Sequence, residues 1–203
     1  MVCVNGTYNW LLERGIKPAA MVMVDARGWN KRFVARHVDT CQYLIGSQCD
    51  HELVKSLPPE QTWLWHSGQS ELVKQAVGEW TEAQGVKLEW FPVAGASTVV
   101  TRAITLLAML GYRKLTIYGW DSCLRGDTHH AYAQPENDGG GVVSSYVGGR
   151  EFRCHPWMLV QASEVPKLIR HVWSAVPDLV LDVRGDGLIA AILETAGGKN
   201  GGK

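Results

Sequence analysis

Lys114-Leu115-Thr116-Ile117-Tyr118-Gly119-Trp120-Asp121, followed shortly by Asp127-Thr128-His129-His130-Ala131-Tyr132, is the stretch on which the reading of the fold turns. A short run rich in β-branched and aromatic residues stops at a glycine and an acid. A polar, histidine-bearing loop comes next. An open α/β sheet gathers its chemistry at the carboxyl ends of its strands, and this is how one such end reads. An enzyme is therefore favoured over a scaffold.

Working outward, similar runs recur at Val2 to Val4, Met21 to Val24, Cys41 to Ile45, Thr62 to His66, Lys87 to Phe91 and Leu179 to Val183, which with Lys114 to Tyr118 make seven candidate strands. Amphipathic segments separate them, at Tyr8 to Arg14, Trp29 to His37, His51 to Leu57, Ser70 to Gln84, Thr98 to Leu110, Trp157 to Ala175 and Leu188 to Thr195. Strand-then-helix alternation predicts an α/β fold with a mostly parallel sheet flanked by helices. The helix beginning at Thr98 is apolar on most sides, so it should lie against the sheet and stop at Gly111. Residues 122–153 break the rhythm as an insertion in which Val142 to Val147 and Arg150 to Cys154, around Gly148-Gly149, read as a hairpin. At 203 residues one domain over 1–195 is expected, with a disordered Gly-rich tail over 196–203.

Twenty basic residues balance twenty acidic ones, so no global field draws the chain to nucleic acid or an anionic membrane. No run reaches the roughly 18 apolar residues that would span a bilayer. The five cysteines form no CxxC pair and follow no secretory signal, which suits a reducing cytoplasm. Cys49 with His51, and Cys154 with His155, would be zinc half-sites only if they converged, and their spacing fits no common zinc pattern. Of the nine tryptophans, Trp63 and Trp65 share a strand face and are expected in the core, whereas Trp29 and Trp120 adjoin functional turns and are better ligand candidates.

Several turns carry candidate chemistry. Gly95-Ala96-Ser97-Thr98 leads into a helix, so its amides and two hydroxyls either form an anion pocket or simply cap. Asn5-Gly6 and Asp25 follow the first two strands, where a ribose, base edge or metal contact often lies; capping is the alternative for each. Along one sheet edge, Asn5, Asp25, Ser97 and Asp121 should line up. Asp186, between Gly185 and Gly187, reads as a helix cap or a nucleotide contact, and Arg150 and Arg153 on the hairpin could close over a phosphate. His37, His51 and His171 look like surface residues. His129 and His130, with Tyr132 beside them, are placed to move a proton or bind a metal.

Taken in order, Val4-Asn5-Gly6, Gly15-Ile16-Lys17-Pro18, the Asp25 strand end, Ser97-Thr98, Leu110-Gly111-Tyr112, Gly119-Trp120-Asp121-Ser122, His130-Ala131-Tyr132 and Gly185-Asp186-Gly187-Leu188 resemble the family named for archaeal 6-hydroxymethylpterin diphosphokinase, the MptE-like proteins, in a phage-type form. The same order is more distantly similar to the sialyltransferases of glycosyltransferase family 42. Both resemblances imply a Rossmann-like domain and an activated nucleotide donor. The Gly-x-Gly-Pro-Ser turn that usually precedes the strand opening here at Val2 is not in this sequence, which would remove part of the phosphate cradle.

What the first resemblance implies is diphosphate transfer from a nucleoside triphosphate to a hydroxymethyl-bearing heterocycle, in a cytoplasm that is the host's if the chain is phage-encoded. Asn5, Gly6, Asp25, Ser97, Thr98, Arg150 and Asp186 would hold the nucleotide, and Asp25 and Asp121 a Mg2+ ion. Asp121, His129, His130 and Tyr132 would be catalytic. The partners are a nucleotide donor and a small-molecule acceptor, with no organic cofactor, nucleic acid or membrane; a homo-oligomer is left open. Glycosyl transfer from a nucleotide sugar, and nucleotide binding without turnover, are the alternatives.

Overall fold

Four short strands stack side by side in the order of the chain. β1 (Val2–Val4), β2 (Ala20–Met23), β3 (Gln42–Gly46) and β4 (Thr62–Trp65) form one wholly parallel sheet in the order β1-β2-β3-β4. In a computed structural model that describes residues 1–68, 71–86, 92–128 and 140–196, the chain divides at Gly95 into two compact units.

The first unit, Met1–Gly95, adds α1 (Thr7–Glu13), a 3-10 turn over Gly28–Val34, α2 (His51–Lys55) and α3 (Glu71–Ala83). Its register is fixed by pairs such as Cys3 with Met21, Met21 with Tyr43 and Ile45 with Leu64. Met21, Val22 and Met23 are wholly buried, as the strand of a parallel sheet covered on both faces should be. Beyond β4, Val93 pairs in parallel with Ser67, and a side chain on Gly68 would stand 2.5 Å from the Pro92 β-carbon, so only glycine admits that approach. The predicted strand at 87–91 lies outside the described residues. Trp65 is buried as expected, but Trp63 on the same strand face is 61% exposed, its indole N–H donating to Gln42 Oε1 at 2.7 Å. That acceptor sits at the exposed start of β3 and keeps the ring at the surface.

The predicted helix at Trp29 to His37 is instead the 3-10 turn over Gly28–Val34. Tighter winding carries Asn30 and Val34 inward, and Asn30 closes onto the Arg27 carbonyl at 3.0 Å. Asp50 caps α2 by accepting from the Glu52 and Leu53 amides. Below them, four polar groups run in one direction through the core: the Val38 amide donates to the Tyr43 hydroxyl (3.0 Å), which meets the Tyr8 hydroxyl (2.8 Å), which donates to the Arg36 carbonyl (2.9 Å).

The second unit, Ala96–Lys203, holds α4 (Val99–Met109), β5 (Lys114–Tyr118), the hairpin β6 (Val143–Val147) and β7 (Arg150–Cys154), α5 (Pro156–Ala175), β8 (Val180–Arg184) and α6 (Leu188–Thr195). β5 pairs in parallel with β8, and β6 with β7 antiparallel around Gly148-Gly149, both at positive φ as a tight hairpin turn requires. Thr98 caps α4, whose Ala103, Ile104, Leu106 and Ala108 are buried; Met109 and Leu110, expected against the sheet, are exposed where the helix runs out. The class is the expected Rossmann-like α/β, with mainly parallel strands. The single sheet expected to join the ends of β1, β2 and β5 is, among the described residues, two parallel ladders.

Replacing Tyr43 by Phe should leave the Val38 amide without its acceptor and remove the hydrogen bond that the Tyr8 hydroxyl accepts, while its own donation to the Arg36 carbonyl remains. A loss of about 1–3 kcal/mol in urea unfolding is expected, because each buried group left without a partner keeps its desolvation cost.

Candidate functional site

In the first unit the carboxyl ends of β1, β2 and β3 carry the polar side chains. Asn5 ends β1 in the left-handed region at φ 43°, a conformation asparagine tolerates, and its carboxamide oxygen is buried without a hydrogen-bond partner among the described residues. Its amide bonds the Val22 carbonyl at 3.2 Å, which continues the β1–β2 ladder past the last paired residues. Gly6 is buried and begins α1. Asp25 follows β2 and accepts from Arg27 Nε at 2.8 and 2.9 Å on its two oxygens, from the Arg27 amide, and from Arg27 Nη2. The guanidinium, with the Asn30 amide alongside, holds the Asp25 carboxyl below the usual carboxylate range despite partial burial. Trp29 stands 57% exposed beside it, with Arg27 over its ring at 5.2 Å.

In the second unit Asp121 and Asp186 follow neighbouring parallel strands, β5 and β8. Gly185 and Gly187 wrap Asp121: a β-carbon at 187 would stand 2.6 Å from the Asp121 α-carbon and 2.7 Å from Oδ1, and one at 185 would stand 3.1 Å from Oδ1. The Ile189 amide, in the first turn of α6, bonds the Asp121 carbonyl at 3.3 Å. Burial pushes the Asp121 carboxyl up, the nearby Asp186 adds to the rise, and Arg125 opposes it.

Asp121 lies in a cleft of about 430 Å³ with Cys123, Arg125, Glu151, Arg153 and Asp186 on its walls. Two arginines reach it, each held by an acid: Arg125 by Asp186 at 2.8 Å, and Arg153 by Asp127 at 3.1 Å, with the Gly126 carbonyl at 3.2 Å. A half-buried carboxyl raised above the usual carboxylate range beside two arginines is chemistry suited to taking a proton next to phosphate.

Other expected residues are placed differently. Asp186 is not the cap of α6, which is Gly187; it pairs with Arg125 instead. Arg150 pairs with Glu194 at 2.8 Å and lies over Phe152, while the cleft is walled by Arg153. Trp120 is buried at 5% exposure, in the core. His37, His51 and His171 are exposed, as read from the sequence. His129, His130 and Tyr132 lie outside the described residues. Among the described residues no three His, Cys, Asp or Glu side chains cluster as metal ligands.

Ser97 and Thr98 stand at the start of α4, where Thr98 accepts from the Thr101 amide at 3.3 Å, so capping is present. Ser97 donates its amide and hydroxyl to Glu164 at 3.0 and 2.5 Å. Sequence reasoning missed Glu164, Arg125 and Asn30; the partners of the first two lie 67 and 61 residues away, beyond any local signal.

A magnesium ion takes one or two carboxylates and completes its shell with water and substrate phosphates. Asp186, on the wall of the cleft, fits that donor set as one such carboxylate. Asp25 does not, because the Arg27 guanidinium engages both its oxygens.

A family model described as 6-hydroxymethylpterin diphosphokinase MptE-like matches residues 1–127, which include β1 to β5, Asp121 and the first part of the cleft. No curated protein and no solved structure matches the chain.

Since the carboxyl of Asp121 is raised on folding, the stability it allows is fully present below its unfolded value near 3.8 and is lost as pH rises through the folded value. Asp121→Asn should therefore be more stable than the wild type at pH 7, with the difference vanishing below about pH 3.8 in denaturant titrations at each pH. An equal difference at both ends of that range would dissociate the effect from ionisation.

Proposed function

The chain belongs to the 6-hydroxymethylpterin diphosphokinase MptE-like family, and from that premise we propose that it is a transferase moving diphosphate from a nucleoside triphosphate to a hydroxymethyl-bearing heterocycle. The observation that carries the reading is Asp121: a half-buried carboxyl, raised by burial, in a cleft walled by Arg125 and Arg153.

The acceptor's hydroxyl oxygen attacks the β-phosphorus of the donor. A bond forms between them, and the bond from that phosphorus to the α–β bridging oxygen breaks, so the nucleoside monophosphate leaves and the acceptor carries two phosphoryl groups. Asp121 receives the hydroxyl proton. Its raised carboxyl makes it a better proton acceptor than an exposed aspartate, because the charged form gains less from its surroundings. Arg125 and Arg153 exchange their acidic partners for the oxygens of the transferring group, whose charge they offset. Ser97 and Thr98, at the start of α4, hold the donor's phosphates through amide and hydroxyl groups. In the first unit Asn5, with Gly6 giving close backbone access, offers its buried oxygen to a ring N–H or ribose hydroxyl, and Asp25 and Arg27 stand at the next strand end. Asp186 would hold magnesium, which would supply charge neutralisation when bound. His129, His130 and Tyr132 would assist proton transfer, and Arg150 is held by Glu194.

A thermal-shift panel of nucleoside triphosphates, nucleotide sugars and hydroxymethylpterin, with and without magnesium, tests the substrate class. A nucleoside triphosphate at about 100 times its dissociation constant adds roughly 2.7 kcal/mol to stability. A response to nucleotide sugars alone would replace diphosphate transfer by glycosyl transfer, and binding with no product from any acceptor would leave a sequestering protein.

Two variants sharpen the roles. Asp121→Asn should lower turnover at least ~100-fold, the lower range for acid–base catalysis, with donor affinity little changed. Ser97→Ala with Thr98→Ala should weaken triphosphate binding by more than the roughly 1–2 kcal/mol of stability that lost capping costs. Normal triphosphate affinity in that double variant would reduce the pair to caps.

A further inference from the structure

The register of the β6–β7 hairpin sorts its side chains onto two faces. Tyr146 on β6 stands opposite Glu151 on β7, and Ser144 opposite Arg153, while Phe152 and Cys154 point the other way into the core. The Arg153 carbonyl accepts from the Leu124 amide at 2.8 Å, so it is turned away from β6, and its pair with Ser144 is of the non-hydrogen-bonded kind. By the two-residue alternation the pair of Tyr146 and Glu151 is of that kind too, in which facing side chains stand closest. The Ser144 hydroxyl closes the diagonal, donating to Glu151 Oε1 at 2.5 Å. Glu151 and Arg153 are also on the walls of the cleft of about 430 Å³ that holds Asp121. Tyr146, 70% exposed, continues their face of the hairpin.

We propose that this face reads a planar heterocycle whose edge presents neighbouring N–H groups, the 2-amino-4-oxopyrimidine edge, with Glu151 accepting from the edge and Tyr146 stacking on the ring. The proposal rests on the transferase reading of the same cleft and names what selects its substrate. A carboxylate only accepts. Its two oxygens hold about four lone-pair sites, so one serine donor fixes the group and leaves capacity for two parallel N–H groups. An adenine edge sets a ring-nitrogen acceptor beside its amino group, and that nitrogen would meet the carboxylate lone pair to lone pair. The contact thereby discriminates by edge. A tyrosine ring adds stacking area at little cost in ordering, since it has few rotatable bonds. Arg153 lies two residues along the same strand face, roughly 7 Å away, and is left for the phosphoryl end of the bound molecule. Pterins and guanine share this edge, so the acceptor and a guanine-bearing donor are its two sources.

Titration calorimetry of the full chain with 6-hydroxymethylpterin, guanosine monophosphate and adenosine monophosphate tests this. The wild type should bind the pterin, guanosine monophosphate or both, and adenosine monophosphate more weakly; the preferred ring assigns the face to the acceptor or to the donor's base. Glu151→Gln keeps the shape but removes the charge and turns an N–H toward the ring, so affinity for the preferred ring should fall at least ~10-fold, the scale of a lost hydrogen bond to a charged group. Tyr146→Ala should weaken it ~5-fold or more, as loss of a stacking platform does, and Tyr146→Phe should restore it. Both side chains are exposed, so each variant should melt cooperatively like the wild type. Undiminished binding of the preferred ring by Glu151→Gln overturns the proposal, as does an equal wild-type affinity for adenosine monophosphate. If neither the pterin nor guanosine monophosphate binds while a nucleoside triphosphate still raises the melting temperature, the hairpin reader falls and the nucleotide-dependent transferase stands. If no triphosphate has an effect either, both fall.

Discussion

The absence of a side chain at residue 187 is the constraint on which the second unit's site depends. Two parallel strands end side by side, and the turn after β8 passes so close to Asp121 that a single β-carbon there would overlap its backbone. That approach has three results. It buries the aspartate, which raises its carboxyl; it brings Asp186 to the same end of the ladder; and it lets the first turn of α6 bond the Asp121 carbonyl. The cleft follows from the same turn, since Asp186 and Gly187 form part of its wall and Arg125 is drawn in by Asp186.

Acids and arginines recur as pairs after β2 and along the walls of the cleft. Asp25 holds Arg27, Asp186 holds Arg125 and Asp127 holds Arg153. Most of these groups are well exposed, so each pair contributes little to folding stability. In each pair the carboxylate fixes the orientation of the guanidinium fork. Three acids and three arginines of the evenly balanced twenty and twenty are matched in this way, a local pairing that a composition count alone conceals.

The sequence made the strands legible where periodicity was strong. Lys114–Tyr118 and Leu188–Thr195 were read to the residue, and the hairpin to within one position, because glycines and β-branched runs mark those ends. Gly28–Val34 is not legible as a 3-10 turn, since its residues suit a helix by propensity and the burial of Asn30 and Val34 shows only in the folded unit. Strand ends announced Asn5, Asp25 and Asp121 as polar positions. What those side chains touch was not legible, because Glu164 meets Ser97 from a helix 67 residues on and Arg125 meets Asp186 from 61 away. Arg150 and Arg153 show the same limit. Both sit on β7, yet the strand sends one to α6 and the other to the cleft.

The hydroxyl relay through Tyr8 and Tyr43 has a direction, fixed by its ends: an amide can only donate and a carbonyl can only accept. Neither phenol can turn its proton around without leaving a neighbour empty, so the segment between Arg36 and Val38 cannot peel from the sheet one contact at a time. Its opening is coupled to that of the strand core beneath it. The amide proton of Val38 should consequently exchange with solvent only as slowly as the first unit unfolds, which makes it an internal clock for the unit that carries Asn5 and Asp25.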